Sequence, residues 1–206
     1  MPPLVRLRDI ELADGLRLIP GGLRPAGNPV DLDAAESGLS LEASVGTLVH
    51  RCLELIAKNG LESWSTARVA SLQPAYRRWL MAQGHSEAEA ASGAGEVVAA
   101  LSQTLAGDSG RWLLADHPQA AAEEAWSSSE GGAPVNHIID RIFVADGCRW
   151  IIDYKTVRLP DDELAQRAET YRPQLARYAG LFAGDTLPLR LAIYFPLQGR
   201  LIELAG

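Results

Sequence analysis

The chain has 206 residues, 47% hydrophobic and 22% charged, with 19 Lys+Arg against 26 Asp+Glu and a net charge of −7. That size and balance describe a soluble globular domain able to bury a full core, with or without a helical insertion. The acidic balance argues against a free-standing, tight DNA-binding protein, though not against a module whose DNA a partner delivers.

No run is apolar for long enough to span a bilayer, and the opening MPPLVRLRDIELADG lacks a signal-peptide core, so a cytoplasmic location is expected. Residues 1–43 are rich in Pro, Gly and Asp and read as an irregular lead-in or linker, with one strand-like run, Leu16-Arg17-Leu18-Ile19. Such a start suggests a domain cut from a longer protein. Helical periodicity begins near Ser44, a suitable N-cap. In VGTLVHRCLELIAKNG, residues 45–60, Val45, Leu48, Val49, Cys52, Leu53 and Ile56 share one apolar stripe, and Asn59-Gly60 is a stop signal.

A second helix is expected after Ser65, with Val69, Leu72, Tyr76, Trp79 and Leu80 on one side and a bend or break at Pro74. A third spans residues 86–105, with Ser86 and Glu89 at capping-box spacing, and a helical turn covers 111–114. Residues 61–118 read as a helical insertion within a domain running from 44 to 206.

The second half changes character. A strand is expected at 123–126, followed by a hairpin over 135–155 whose apolar runs flank Ala145-Asp146-Gly147. A helix over 162–182 and strands at 189–195 and 201–204 complete an α/β sandwich around a mixed sheet.

Within the hairpin, Asp140 and Asp153 each follow two isoleucines and interrupt strands that otherwise look buried. An ionised carboxylate there is costly unless a cation or hydrogen bonds compensate it. Lys155 lies two residues beyond Asp153, on the same strand face. Taken singly, each aspartate has an ordinary explanation, Asp140 paired with Arg141 and Asp153 with Lys155. Taken together, the trio reads as a site for a hard divalent cation, Mg²⁺ or Mn²⁺, with a lysine to orient water or neutralise a phosphate oxygen. Cys52 and Cys148 lack any CxxC or Cys/His spacing, so no iron–sulfur cluster is expected, only two buried thiols in a reducing compartment.

Asp153-Tyr154-Lys155 with Asp140 upstream resembles the signature of PD-(D/E)XK nucleases. More narrowly, the chain resembles the RecB-like nuclease domain at the C-terminus of UvrD-type helicase–exonucleases of the exonuclease V beta/AddA kind. Gly46-Thr47-Leu48-Val49-His50 is similar to that family's G-x-x-x-H, and Gln174 with Tyr178 to its Q-x-x-x-Y. Unaided, a lone helical histidine is usually exposed or a satisfied core residue. Gly46, one turn before His50, leaves room there. Gln174 and Tyr178 at i and i+4 share a helix face, as in any amphipathic helix.

The resemblance implies a restriction-endonuclease-like mixed-sheet core flanked by helices. It implies metal held by His50, Asp140, Asp153, the Tyr154 carbonyl and an acid on the first core strand, where family spacing favours Glu123 over Glu124. Lys155 would position or activate the nucleophile, and Gln174 and Tyr178 would flank it. Tyr171, Arg172 and Arg177 could add DNA contacts, or form a solvated face. His85, His117 and His137 have no such support, and His137 stands where relatives often carry glycine.

The activity implied is hydrolysis of DNA phosphodiesters, of single strands delivered by a UvrD-type helicase in double-strand-break repair or recombination. With no GxxxxGK[ST] loop there is no ATP site, so the helicase would lie upstream or in a partner subunit. The alternative is a catalytically silent nuclease fold that binds or guides DNA. A weaker one is a hydrolase of other phosphate esters.

Overall fold

The computed structural model describes residues 10–12, 16–18, 40–130 and 133–204, with side chains over 40–122 and 138–204. Strands β1 (Ile10–Leu12) and β2 (Leu16–Leu18) pair antiparallel in a small separate ribbon. Helix α1 (Leu41–Asn59) starts one turn before the position its periodicity suggests. Ser40 is the N-cap, its Oγ accepting the Ala43 amide, whereas Ser44 is buried with its hydroxyl 2.7 Å from His85 Nε2. The six apolar stripe residues are all buried. At Gly60, φ is +84°, a left-handed value that suits glycine and ends the helix.

Ser65 caps α2 (Thr66–Ser71), and α3 (Gln73–Ala82) follows with Pro74 in its first turn. Proline cannot donate to the preceding turn, so one periodic run becomes two helices. The expected capping box forms at α4 (Glu87–Ala106), and α5 (Asp108–Leu114) begins earlier than the 111–114 turn.

Strands β3 (Ala121–Glu130), β4 (Ala133–Ala145), β5 (Cys148–Tyr154), β6 (Leu189–Phe195) and β7 (Arg200–Leu204) form one sheet in that order. Only the β5–β6 pair is parallel. Asp146 and Gly147 both take positive φ, 51° and 71°, as the tight turn of a twisted hairpin requires. Between β5 and β6 lie α6 (Leu164–Glu169) and α7 (Arg172–Gly180), where the sequence suggests one helix. Pro173 in the first turn of α7 is again the cause.

Side chains alternate across the sheet. Trp150, Ile152, Tyr154, Ala192 and Tyr194 pack with α1–α5, while Ile151, Ile193 and Phe195 pack with Leu164, Ala168, Leu175 and Tyr178 of α6 and α7. A strand buried on both faces reads as an unbroken apolar run, which is why β5 and β6 look so hydrophobic. The result is the expected α/β architecture, a mixed sheet between helical layers. Among the described residues no helix is long and apolar enough to cross a membrane.

Candidate active site

The carboxylates and the lysine meet at the C-terminal end of β5. Asp153 and Lys155 flank Tyr154, and the Lys155 amide donates to the Tyr194 carbonyl at 2.9 Å, extending the β6 ladder past the strand end. Asp153 faces α7, where its Oδ1 accepts Gln174 Nε2 at 2.9 Å. Its buried Oδ2 lies 2.8 Å from Lys155 Nζ but receives no hydrogen bond of acceptable angle. This contact is charge pairing without good donor geometry.

Asp140 is supplied by β4. Pairing with β5 runs from Ala145–Cys148 to Arg141–Ile152, and there the Tyr154 amide donates to Asp140 Oδ2 at 2.7 Å. Asp140 Oδ1 is 3.2 Å from His50 Nδ1 on α1, and the His50 ring stands edge-on to Tyr154. Asp140 and Arg141 are consecutive, yet both reach the α1–α5 side. Arg141 donates to the Leu113 and Ala115 carbonyls at 3.0 and 2.8 Å. The strand therefore departs from regular alternation at the site, and Arg141 does not pair with Asp140 in the simple way the sequence allows.

Gln174 joins the parts. Its Oε1 accepts Lys155 Nζ at 3.2 Å, while Nε2 also donates to Tyr178 Oη at 2.8 Å. Helix α1 on one side of the sheet and α7 on the other thus converge on two buried carboxylates and one lysine.

Residues 23–202 match the family described as the PD-(D/E)XK nuclease superfamily. The chain belongs to that superfamily. No curated protein matches the sequence. Among solved structures, protein VC1899 from Vibrio cholerae is similar at 17% identity with a TM-score of 0.30, over 78% of this chain and 48% of that one. The chain therefore spans about half the length of that protein.

This member of the superfamily carries its PD-(D/E)XK-like trio in an electrostatically tense arrangement. Burial pushes the Asp153 carboxyl above its ordinary range, and the Asp140 charge pushes it further; Lys155 and His50 oppose both. A divalent cation would relieve that tension. The oxygen donors fit one of the Mg²⁺ class, and Asp153 Oδ2 is a buried acceptor with no well-aligned donor. Among the described residues no three His, Cys, Asp or Glu side chains gather as a ready enclosure. Magnesium sites in proteins often rest on one or two carboxylates and complete their shell with water and substrate phosphate.

The remaining sequence candidates divide. The β3–β4 register runs through Ala122–Arg141 and Glu124–Ile139, which brings Glu123 level with Asp140; its side chain lies outside the described residues. His137 is opposite Trp126, and its side chain is likewise outside them. A Cβ on Gly46 would sit 3.9 Å from the Thr156 Cβ, an ordinary contact, so packing alone does not require the glycine. His117 is 2.6 Å from the Trp112 carbonyl and stacks on Phe143, away from the trio. Arg172 pairs with Glu169.

Two further residues support the site, and one of them, Gln198, escaped sequence reasoning. Tyr171 lies beneath Lys155, with Nζ 4.7 Å from its ring centroid. Gln198 donates to the Val157 and Leu159 carbonyls at 3.1 and 3.0 Å, pinning the loop that follows Lys155. No spacing marks Gln198, because it arrives from the turn between β6 and β7.

Proposed function

We propose that this chain is a Mg²⁺- or Mn²⁺-dependent deoxyribonuclease domain that hydrolyses phosphodiesters. The observation that carries the reading is the meeting of Asp140, Asp153 and Lys155 at the end of β5, with Gln174 bridging Asp153 and Lys155. The metal would be held by Asp140, Asp153 and the Tyr154 carbonyl, with His50 and Glu123 as further ligands or supports. When bound, such an ion stabilises charge on the phosphate and lowers the pKa of a water.

The chain's own residues do the rest. Asp140 holds the Tyr154 peptide in place, and His50 braces Asp140 from α1. Lys155 orients the attacking water and neutralises a phosphate oxygen. Gln174 fixes Lys155 through its carbonyl and Asp153 through its amide, and Tyr178 fixes Gln174. The finer reading rests on the motifs around His50, Gln174 and Tyr178. It is single-stranded DNA, delivered by a UvrD-type helicase in recombination or double-strand-break repair, in the cytoplasm.

Cleavage of labelled single- and double-stranded DNA with Mg²⁺ or Mn²⁺ tests this. The native chain should cut, single strands faster, while Lys155→Ala and Asp153→Ala should not. Equal cutting by native and variant chains would overturn the assignment. The net charge of −7 favours a second reading, a silent DNA-guiding module. A folded chain that neither cuts nor binds Mn²⁺ in calorimetry would support it.

A further inference from the structure

The ring of Tyr171 carries two cations. Lys155 Nζ lies 4.7 Å from the ring centroid and Arg167 Cζ lies 5.4 Å from it. The two differ in what balances their charge. Lys155 has Asp153 at 2.8 Å, whereas Arg167 forms no ion pair with any carboxylate among the described residues. Glu163, one helical turn before it, lines the same cleft without pairing to it. Arg167 is thus an exposed arginine that shares the Tyr171 ring with Lys155.

Arg167 forms a wall of a cleft of about 280 Å³ shared with Leu159, Glu163, Gln166 and Thr170. Two hydrogen bonds tie residues at its edge. Gln198 holds the Leu159 carbonyl, and the Thr170 hydroxyl donates to the Arg167 carbonyl at 2.7 Å. Two cations beside one aromatic ring repel each other, and negative charge bound at either of them relieves that repulsion. A guanidinium suits a phosphate, whose oxygens match its fork of donors.

We propose that Arg167, with Lys155 across the Tyr171 ring, binds the phosphate next to the one being cleaved. The inference rests on the polynucleotide reading above and extends it to a second phosphate contact. Tyr171 is the positioning residue that spaces the two cations. A substrate with one phosphodiester occupies only the Lys155 side, whereas an oligonucleotide occupies both.

The test is binding of a labelled oligothymidylate to the full chain, followed by anisotropy across a salt series with Ca²⁺ in place of Mg²⁺. Arg167→Gln is expected to weaken binding about 3- to 10-fold and to lower the salt slope by about 0.7, the value for one single-strand phosphate. Arg78→Gln removes the same charge from an exposed position on α3 and should change neither. Tyr171→Phe keeps an aromatic face and should match the native chain, while Tyr171→Leu should resemble Arg167→Gln and also lower kcat. Thermal melts check that each variant is folded.

If Arg167→Gln and Arg78→Gln bind alike while the native chain still cuts DNA, the second phosphate contact is wrong and the nuclease reading stands. If the native chain cuts nothing but Arg167→Gln loses the slope of one phosphate, the Arg167 phosphate contact stands as DNA binding alone and the nuclease reading fails. A native chain that binds no oligonucleotide overturns both.

Discussion

Asp140 Oδ2 accepts the Tyr154 amide at 2.7 Å, so a strand amide that would ordinarily bond a neighbouring strand is held by a carboxylate instead. The same carboxylate faces His50, which gives it a structural task besides any role at a metal. Asp140→Ala leaves a buried amide without its acceptor and should cost about 1–3 kcal/mol. Asp140→Asn keeps an acceptor oxygen and should stay within about 1 kcal/mol of the native chain, while losing cleavage just as completely. Urea unfolding separates the two variants. Equal stability would show that the Tyr154 amide does not depend on Asp140.

Asp153 makes the metal-free fold sensitive to pH. Unfolded, its carboxyl ionises near the ordinary value of 3.8, but in the fold burial and the Asp140 charge hold the proton to higher pH. Above 3.8 the folded state binds more protons than the unfolded one, so stability falls as pH rises toward the raised native value and stays lower beyond it. Asp153→Asn removes that loss. Without metal the variant should melt above the native chain at pH 8, and the gap should close as pH drops past 3.8. Saturating Mg²⁺ should stabilise only the native chain, by about 2.7 kcal/mol at 100 times Kd. A variant that melts lower at pH 8 without metal would contradict the argument.

The trio was legible because each member breaks a local rule. Two aspartates inside apolar β runs, and a lysine two residues on, depart from the strand pattern, and the fold brings all three to the end of β5. The hairpin was legible through Asp146-Gly147, and the stripe on α1 through its period. Helix ends were read less well. Ser40 and Ser44 are both good caps one turn apart, and burial of Ser44 against His85, a tertiary contact, decides between them. Both helices divided by proline carry it in the first turn, where it starts a helix as readily as it ends one. Gln198 stayed invisible, and Tyr171 was legible only as a DNA contact or part of a solvated face, because their partners are carbonyls and a cation brought close only by the folded sheet.

Cys52 should behave as a core hydrophobe. It is fully buried in α1, and burial pushes its thiol up to about 12. Thiolate is the reactive form, so alkylation at pH 8 should spare Cys52 in the folded chain. Peptide mapping should find it modified only after denaturation. Rapid labelling under native conditions would mean that α1 opens away from the sheet, and His50 with it.

Gln174 gives the sharpest test of the network around Lys155. Its amide has a fixed sense, carbonyl to the lysine and nitrogen to Asp153 and Tyr178. Gln174→Ala removes all three contacts but adds no charge, and should lower kcat about 10- to 100-fold, the usual effect of losing a residue that orients a metal ligand. Gln174→Glu keeps the shape but points a carboxylate at Asp153, where burial and Asp140 already oppose ionisation. The glutamate variant should therefore be the poorer enzyme although it is the closer mimic. It should also bind Mn²⁺ differently, because an added carboxylate changes the charge the ion meets. Calorimetry and single-turnover cleavage, run on both variants, read these effects separately. If glutamate proves as active as glutamine, the sense of the amide is unimportant, and Lys155 is held mainly by Asp153 and the Tyr171 ring.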